Sequence, residues 1–118
     1  EDVLTQATQA GINMSNFAKR VDANHSEIIA AYEKCGVTVL DLSRVAELVR
    51  PGVPDLLCAL HGQTWLSEVK THDGELSPAQ VHFMREWKGA CKVVRSADDV
   101  LAVVMEVKAS LRWKAVRP

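Results

Sequence analysis

No apolar run in this sequence approaches the ~18 residues that a membrane-spanning helix needs. No basic-then-apolar leader opens it either, so neither a membrane span nor a secretory signal is expected. Cysteine is scarce: Cys35, Cys58 and Cys91 are odd in number, widely spaced, and each sits inside an apolar run. That usage excludes a disulfide framework and predicts small buried hydrophobes in a reducing compartment. No cysteine pair has zinc-ligand spacing and the four histidines are scattered, which argues against a Cys/His metal centre. Internal repeats and low-complexity segments are also lacking. Neither sign of charge dominates, since 14 basic residues face 15 acidic ones for a net charge of −1.

What remains is an ordinary globular composition, 47% hydrophobic and 25% charged over 118 residues. A chain of that length suits one domain and buries roughly 65% of the surface its unfolded form exposes. Charge is distributed more tellingly than it is summed. Lys108, Arg112, Lys114 and Arg117 follow one another with no acidic residue between, and Lys19-Arg20 form a smaller basic spot. Such patches either grip phosphates or are the solvated ends of a domain. The expected organisation is an N-terminal extension over 1–20, a folded domain over 21–111, and a basic tail over 112–118. Met14 could be a native start, leaving an upstream remnant before it; equally, the weak stripe Val3, Leu4, Ala7 and Ala10 could be a helix.

From Asp22 the local signals sharpen. Ile28, Ala31, Tyr32 and Cys35 recur at helical spacing, with Asp22 or Asn24 as candidate N-cap and Gly36 as the stop. "VTVLDL" (37–42) predicts a short strand, and "SRVAELVRPGVP" a loop that Pro51, Gly52 and Pro54 keep from becoming helical. Two strands follow, "DLLCAL" and "QTWLSEVK", joined by His61-Gly62. In "LSPAQVHFMREWKGA", Ser77, Pro78 and Gln80 supply an N-cap, a first-turn proline and a capping box, and Gly89 a stop. "CKVV" (91–94) predicts a further strand, and Ser96, Asp98 and Asp99 open a last helix whose Leu101, Val104, Met105, Lys108 and Leu111 keep the helical period. The order α-β-β-β-α-β-α predicts an α/β sandwich around a mixed sheet.

The second and third strands carry charges that a hairpin normally avoids. Side chains alternate along a strand, so Glu68 and Lys70 share one face while Trp65, Ser67 and Val69 take the other. If His61-Gly62 is a two-residue turn, Leu60 pairs with Gln63 and Asp55 falls opposite Glu68. Directly opposed residues hold their Cβ atoms roughly 5 Å apart, so two carboxylates there repel. A hard divalent cation between them removes the objection, and Lys70 adds a cation beside it for an anionic ligand such as phosphate. The alternative is a strand-start aspartate with a solvated Glu68/Lys70 pair.

"Pro54-Asp55 … Glu68-Val69-Lys70" resembles the PD-(D/E)xK nuclease signature, in the expected order of elements. More narrowly, "GVPDLL … WLSEVK … LSPAQVHFMREWKG" is similar to the VRR-NUC group, the virus-type replication and repair nucleases, which include phage proteins like Holliday-junction resolvases. The resemblance covers about Arg20 to Leu101. It implies a restriction-endonuclease-like α-β-β-β-α-β core, a mixed sheet flanked by helices. It also implies Asp55 and Glu68 as metal-binding carboxylates, the Val69 carbonyl as a further ligand, and Lys70 as the catalytic lysine. Glu27 sits where the family often has a glutamate that completes the metal site, or is an edge charge of its helix. Gln80 matches a glutamine near the active centre, or serves only its capping box. The segment before Pro54 departs from the family, which is often glycine-rich there; here it reads "RVAELVRPGV". Lys19, Arg20, Arg44 and Arg50 are the candidate phosphate contacts.

The resemblance therefore implies a Mg²⁺- or Mn²⁺-dependent endodeoxyribonuclease of phage or bacterial replication or repair, acting in the cytoplasm on DNA, branched or junction DNA included. Cutting both arms of a branch would need a homodimer with two sites. The rival expectation is a catalytically weak module on the same fold, acting as a nucleic-acid- or protein-binding adaptor or inhibitor.

Overall fold

The computed structural model describes the backbone over residues 14–116 and the side chains over residues 23–110. The elements are α1 (Met14–Lys34), β1 (Thr38–Asp41), α2 (Ala46–Val49), β2 (Leu56–Leu60), β3 (Gln63–Val69), α3 (Pro78–Glu86), β4 (Cys91–Val94) and α4 (Ala97–Val116). The four strands lie in the order β1-β2-β3-β4; the first three form an antiparallel meander and β4 runs parallel to β3. The chain reaches β4 through α3, the crossover that a parallel neighbour requires. The expected mixed α/β sheet flanked by helices is therefore what the chain forms.

Three boundaries differ from expectation. Helix α1 spans Met14–Lys34, so Asp22 and Asn24 lie within it and not at its start. With no glycine or proline between Met14 and Cys35, nothing interrupts the helix at Asp22. The expected loop at 43–54 contains the one-turn helix α2. Helix α4 runs through Val116, so most of the expected basic tail continues a helix. Residues 1–13, most of the expected N-terminal extension, lie outside the described residues.

Other local signals hold. Gly36 (φ 83°) ends α1 by donating to the Glu33 carbonyl while Val37 N–H bonds Tyr32 O, the paired bonds of a Schellman stop. Ser77 and Gln80 form the reciprocal capping box of α3, with Pro78 at its first position. At the hairpin, His61 and Gly62 have φ of 49° and 82°, the left-handed pair that a tight two-residue turn demands. The register pairs Leu60 with Gln63 and Leu56 with Ser67, as the turn arithmetic predicts.

One face of the sheet carries the core. Leu56, Cys58, Leu60, Trp65 and Val94 pack with Ile28 and Tyr32 of α1 and with Val100, Val103, Val104 and Val107 of α4. At its centre the Tyr32 hydroxyl lies 2.6 Å from Ser67 Oγ and accepts from Trp65 Nε1 at 3.3 Å, so the buried polar groups on this face satisfy one another. Cys58 is fully buried, whereas Cys35 and Cys91 are half-buried, and all three thiols are free. Among the described residues no helix is long and apolar enough to cross a membrane.

The opposite face is closed partly by the 43–54 loop and α3, and Gly52 joins them. It adopts φ 85°, and a Cβ there would lie 2.2 Å from the Ala79 carbonyl oxygen at the start of α3. Gly52→Ala meets both a left-handed backbone and a backbone clash, so it should cost about 2 kcal/mol or more. Thermal unfolding followed by circular dichroism measures this, and an unchanged midpoint would contradict the close approach.

Candidate active site

The hairpin register decides where the charges go. Asp55 is the residue before Leu56, and Leu56 pairs with Ser67, so Asp55 stands opposite Glu68. Three bonds pin it there. Its carbonyl accepts from Leu42 N–H at 2.7 Å, its N–H donates to Glu68 Oε2 at 3.2 Å, and its Oδ2 accepts from Val69 N–H at 3.0 Å. The side chains of Asp55 and Glu68 thus join β2 to β3 just beyond the Leu56–Ser67 pair.

Glu68 is 2% exposed, which is unusual for a carboxylate. Its Oε1 accepts from Gln80 Nε2. Gln80 meanwhile accepts from Ser77 N–H at 2.8 Å through its own Oε1, so one side chain both closes the capping box and reaches the buried acid. Burial pushes the Glu68 carboxyl up to about 8; the Asp55 charge and hydrogen bond add to the rise and the Lys70 ammonium opposes it.

Asp55, Glu68, Val69, Lys70 and Gln80 line one cleft of about 460 Å³. Lys70 is fixed from both sides of its peptide: its N–H donates to Val94 O at 3.0 Å and its carbonyl accepts from Asn24 Nδ2 at 2.7 Å. Two opposed carboxylates, one of them resisting ionisation, beside a lysine on the same strand face form an oxygen-donor set that suits a hard divalent cation. Such an ion keeps several waters, so two protein carboxylates suffice to hold it while leaving positions for an anionic ligand. Among the described residues no group of three or more acidic, histidine or cysteine side chains is gathered as a richer cage.

Glu27 does not join them. It is exposed on the flank of α1 shared by Ala30, Ala31 and Lys34, lining a separate groove against Ala97 and Leu101 of α4. The reason is helix phase: Glu27 lies one residue, about 100°, off the line of Ile28 that enters the core. The α1 residues that do reach the cleft are Asn24 and His25. His25 Nε2 lies 3.2 Å from Asp41 Oδ1, which also accepts from Ser43 N–H at 3.0 Å and Ser43 Oγ at 2.7 Å. The sequence offered Asn24 only as a capping candidate, and no spacing signal marked His25 or Ser43. The helical phase of Asn24 relative to Ile28 was the usable clue.

Arg50, expected as a phosphate contact, is paired with Glu86 and lies over the Phe83 ring at 5.9 Å from its centroid. That placement braces the loop against α3 and is not in the cleft. Arg44 is exposed and likewise outside the cleft lining. Lys19 and Arg20 fall on α1, with side chains outside the described residues.

Comparison with protein-family models and with curated proteins finds no match. A solved structure described as a VRR_NUC domain is similar to this chain, with a TM-score of 0.59 and 27% sequence identity. The similarity covers 72% of this chain and 94% of that one. It accords with the mixed four-stranded sheet flanked by helices and supports the VRR-NUC nuclease family.

The raised Glu68 carboxyl makes stability depend on pH. The folded state holds that proton up to about 8, whereas the unfolded chain releases it near 4.5. The folded state therefore binds more protons in that window, and stability is lost as pH rises through it. In chelator, the unfolding midpoint should fall between about pH 5 and about pH 9, and Glu68→Gln should flatten that fall. A wild-type profile flat or rising across the window would contradict the burial of this acid.

Proposed function

We propose that this chain, whose fold and residues support the VRR-NUC nuclease family, is a Mg²⁺- or Mn²⁺-dependent nuclease that hydrolyses phosphodiester bonds in DNA. The observation that carries the reading is the apposition of Asp55 and Glu68, joined through their own backbone and side chains, beside Lys70 in one cleft.

Asp55 and Glu68 are the residues that would hold the cation, with the Val69 main chain beside them. When bound, such a cation supplies Lewis-acid polarisation of a phosphate and acidifies water. Lys70 presents its ammonium to the charge that builds on the phosphorane-like transition state, where a fixed cation in a partly water-excluded cleft acts most strongly. Asn24 and Val94 hold the Lys70 main chain at its carbonyl and its N–H. Gln80 holds Glu68 by its amide and fixes α3 against the site.

A structure-selective action on branched DNA is the finer part of the proposal. One domain with one cleft cuts one strand at a time, and a homodimer would present two clefts to the two arms of a junction. The exposed Arg44, together with Lys19 and Arg20, is the proposed contact to the DNA backbone.

Incubation with linear, nicked, flapped and four-way-junction DNA tests this, with Mg²⁺ or Mn²⁺ and with chelator. Cleavage that requires the metal is the expected result; DNA binding without cleavage on any substrate would overturn it. Lys70→Ala should lower cleavage by about a hundredfold or more while binding persists, a loss typical of removing one transition-state donor. Asp55→Asn should lose both saturable Mn²⁺ binding and cleavage.

A further inference from the structure

The cleft has a wall that belongs to none of the residues named for the chemistry. Thr71, Gly74 and Glu75 line it, on the segment that leaves Lys70 and leads to the Ser77 cap. That segment turns back on itself, closed by a bond from Gly74 N–H to Thr71 O at 3.2 Å. A six-residue connection of this kind would ordinarily be among the more mobile parts of a domain.

Arg95 holds it. Its Nη1 donates to Thr71 O at 2.8 Å and Gly74 O at 2.6 Å, with His72 O at 3.4 Å. Among the described residues no other hydrogen bond ties 71–76 to the rest of the protein. The arginine is itself anchored. Its N–H donates to Asp99 Oδ2 at 2.8 Å, and Asp99 N–H donates in turn to Ser96 Oγ at 3.3 Å, at the start of α4. The parallel ladder pairs Val69 with Val94, so Arg95 follows β4 just as Lys70 follows β3. A chain of fixed contacts thus runs from the N-terminus of α4, through one guanidinium, to the carbonyls directly after Lys70.

A guanidinium suits this task better than an ammonium. It is planar, permanently charged, and its N–H groups have fixed directions, so one group can brace two carbonyls at set angles. Arg95 does not line the cleft, which separates it from the groups that would touch substrate.

We infer that Arg95 is a positioning residue: it clamps the 71–75 turn and thereby sets the geometry of Lys70 and of the cleft wall. The inference rests on the nuclease reading for its kinetic consequence but not for the clamp itself. A loosened clamp leaves the carboxylates and the ground-state DNA contacts in place and lets Lys70 wander from its transition-state position.

Two variants, Arg95→Ala and Arg95→Lys, test this with cleavage kinetics and amide hydrogen exchange. Misplacing a catalytic group by about 1 Å costs up to about a hundredfold in rate; Arg95→Lys should lower kcat about tenfold and Arg95→Ala more, with KM within about twofold. Free guanidinium ion should restore part of the Arg95→Ala rate and none of the Lys70→Ala rate. Amides of 71–76 should exchange faster in both variants while the unfolding midpoint of Arg95→Lys stays close to wild type. An unchanged kcat, or a KM that rises as kcat falls, would overturn the positioning role. If Arg95→Ala does not fold, Arg95→Lys decides. If the wild type cuts no DNA, the nuclease reading fails by itself, and exchange over 71–76 still decides whether the clamp exists: unchanged protection in Arg95→Lys would refute it.

Discussion

A turn of two residues governs this molecule. His61 and Gly62 both adopt left-handed backbone, and with that geometry the pairing of β2 with β3 is fixed. Every side chain of the hairpin then has a determined face. Leu56, Cys58, Trp65 and Ser67 go to the apolar core, and Asp55, Glu68 and Lys70 go to the cleft. Slippage by one residue would exchange the two sets, burying charges among Tyr32 and Val100 and exposing the core. The register that makes the core possible is the same one that brings the two acids together.

Holding them together has a physical consequence. Glu68 is buried, next to another acid, and in its ionised form disfavoured. Its surroundings soften this with an amide from Gln80 and an N–H from Asp55. None of these groups neutralises a second negative charge. Functional sites are where such perturbed acids concentrate. The rest of the face is arranged around the pair: Gly52 lets the 43–54 loop lie against α3, Arg50 braces that loop through Glu86, and the capping box aims Gln80 inward.

Local chemistry was legible in the sequence, and long-range contacts were not. The His61-Gly62 turn, the Ser77–Gln80 box and the Gly36 stop are each written within a few adjacent residues, and each forms as its residues dictate. From the turn alone the apposition of Asp55 with Glu68 follows by counting. The family resemblance implied Glu27 as well, and helix phase sends that side chain to another groove. Helix α1 starts before Asp22 because a capping residue is a permission to begin a helix and not a command; Asp22 sits within a run that nothing breaks. Helix α2 hides behind Pro51 and Gly52, which limit its end but not its existence. Arg95 left no trace, since its carbonyl partners lie more than twenty positions earlier and carbonyls have no residue identity. The double use of Gln80 shows how a complete local explanation can conceal a second role.

Anomalous diffraction from crystals of the wild-type protein grown with Mn²⁺, at a pH where Glu68 ionises, examines the central claim most directly. A manganese peak held at the Asp55 and Glu68 carboxylates, in the cleft that Lys70 also lines, is the result this account requires. A saturating Mn²⁺ concentration that leaves no peak between those two carboxylates would contradict it.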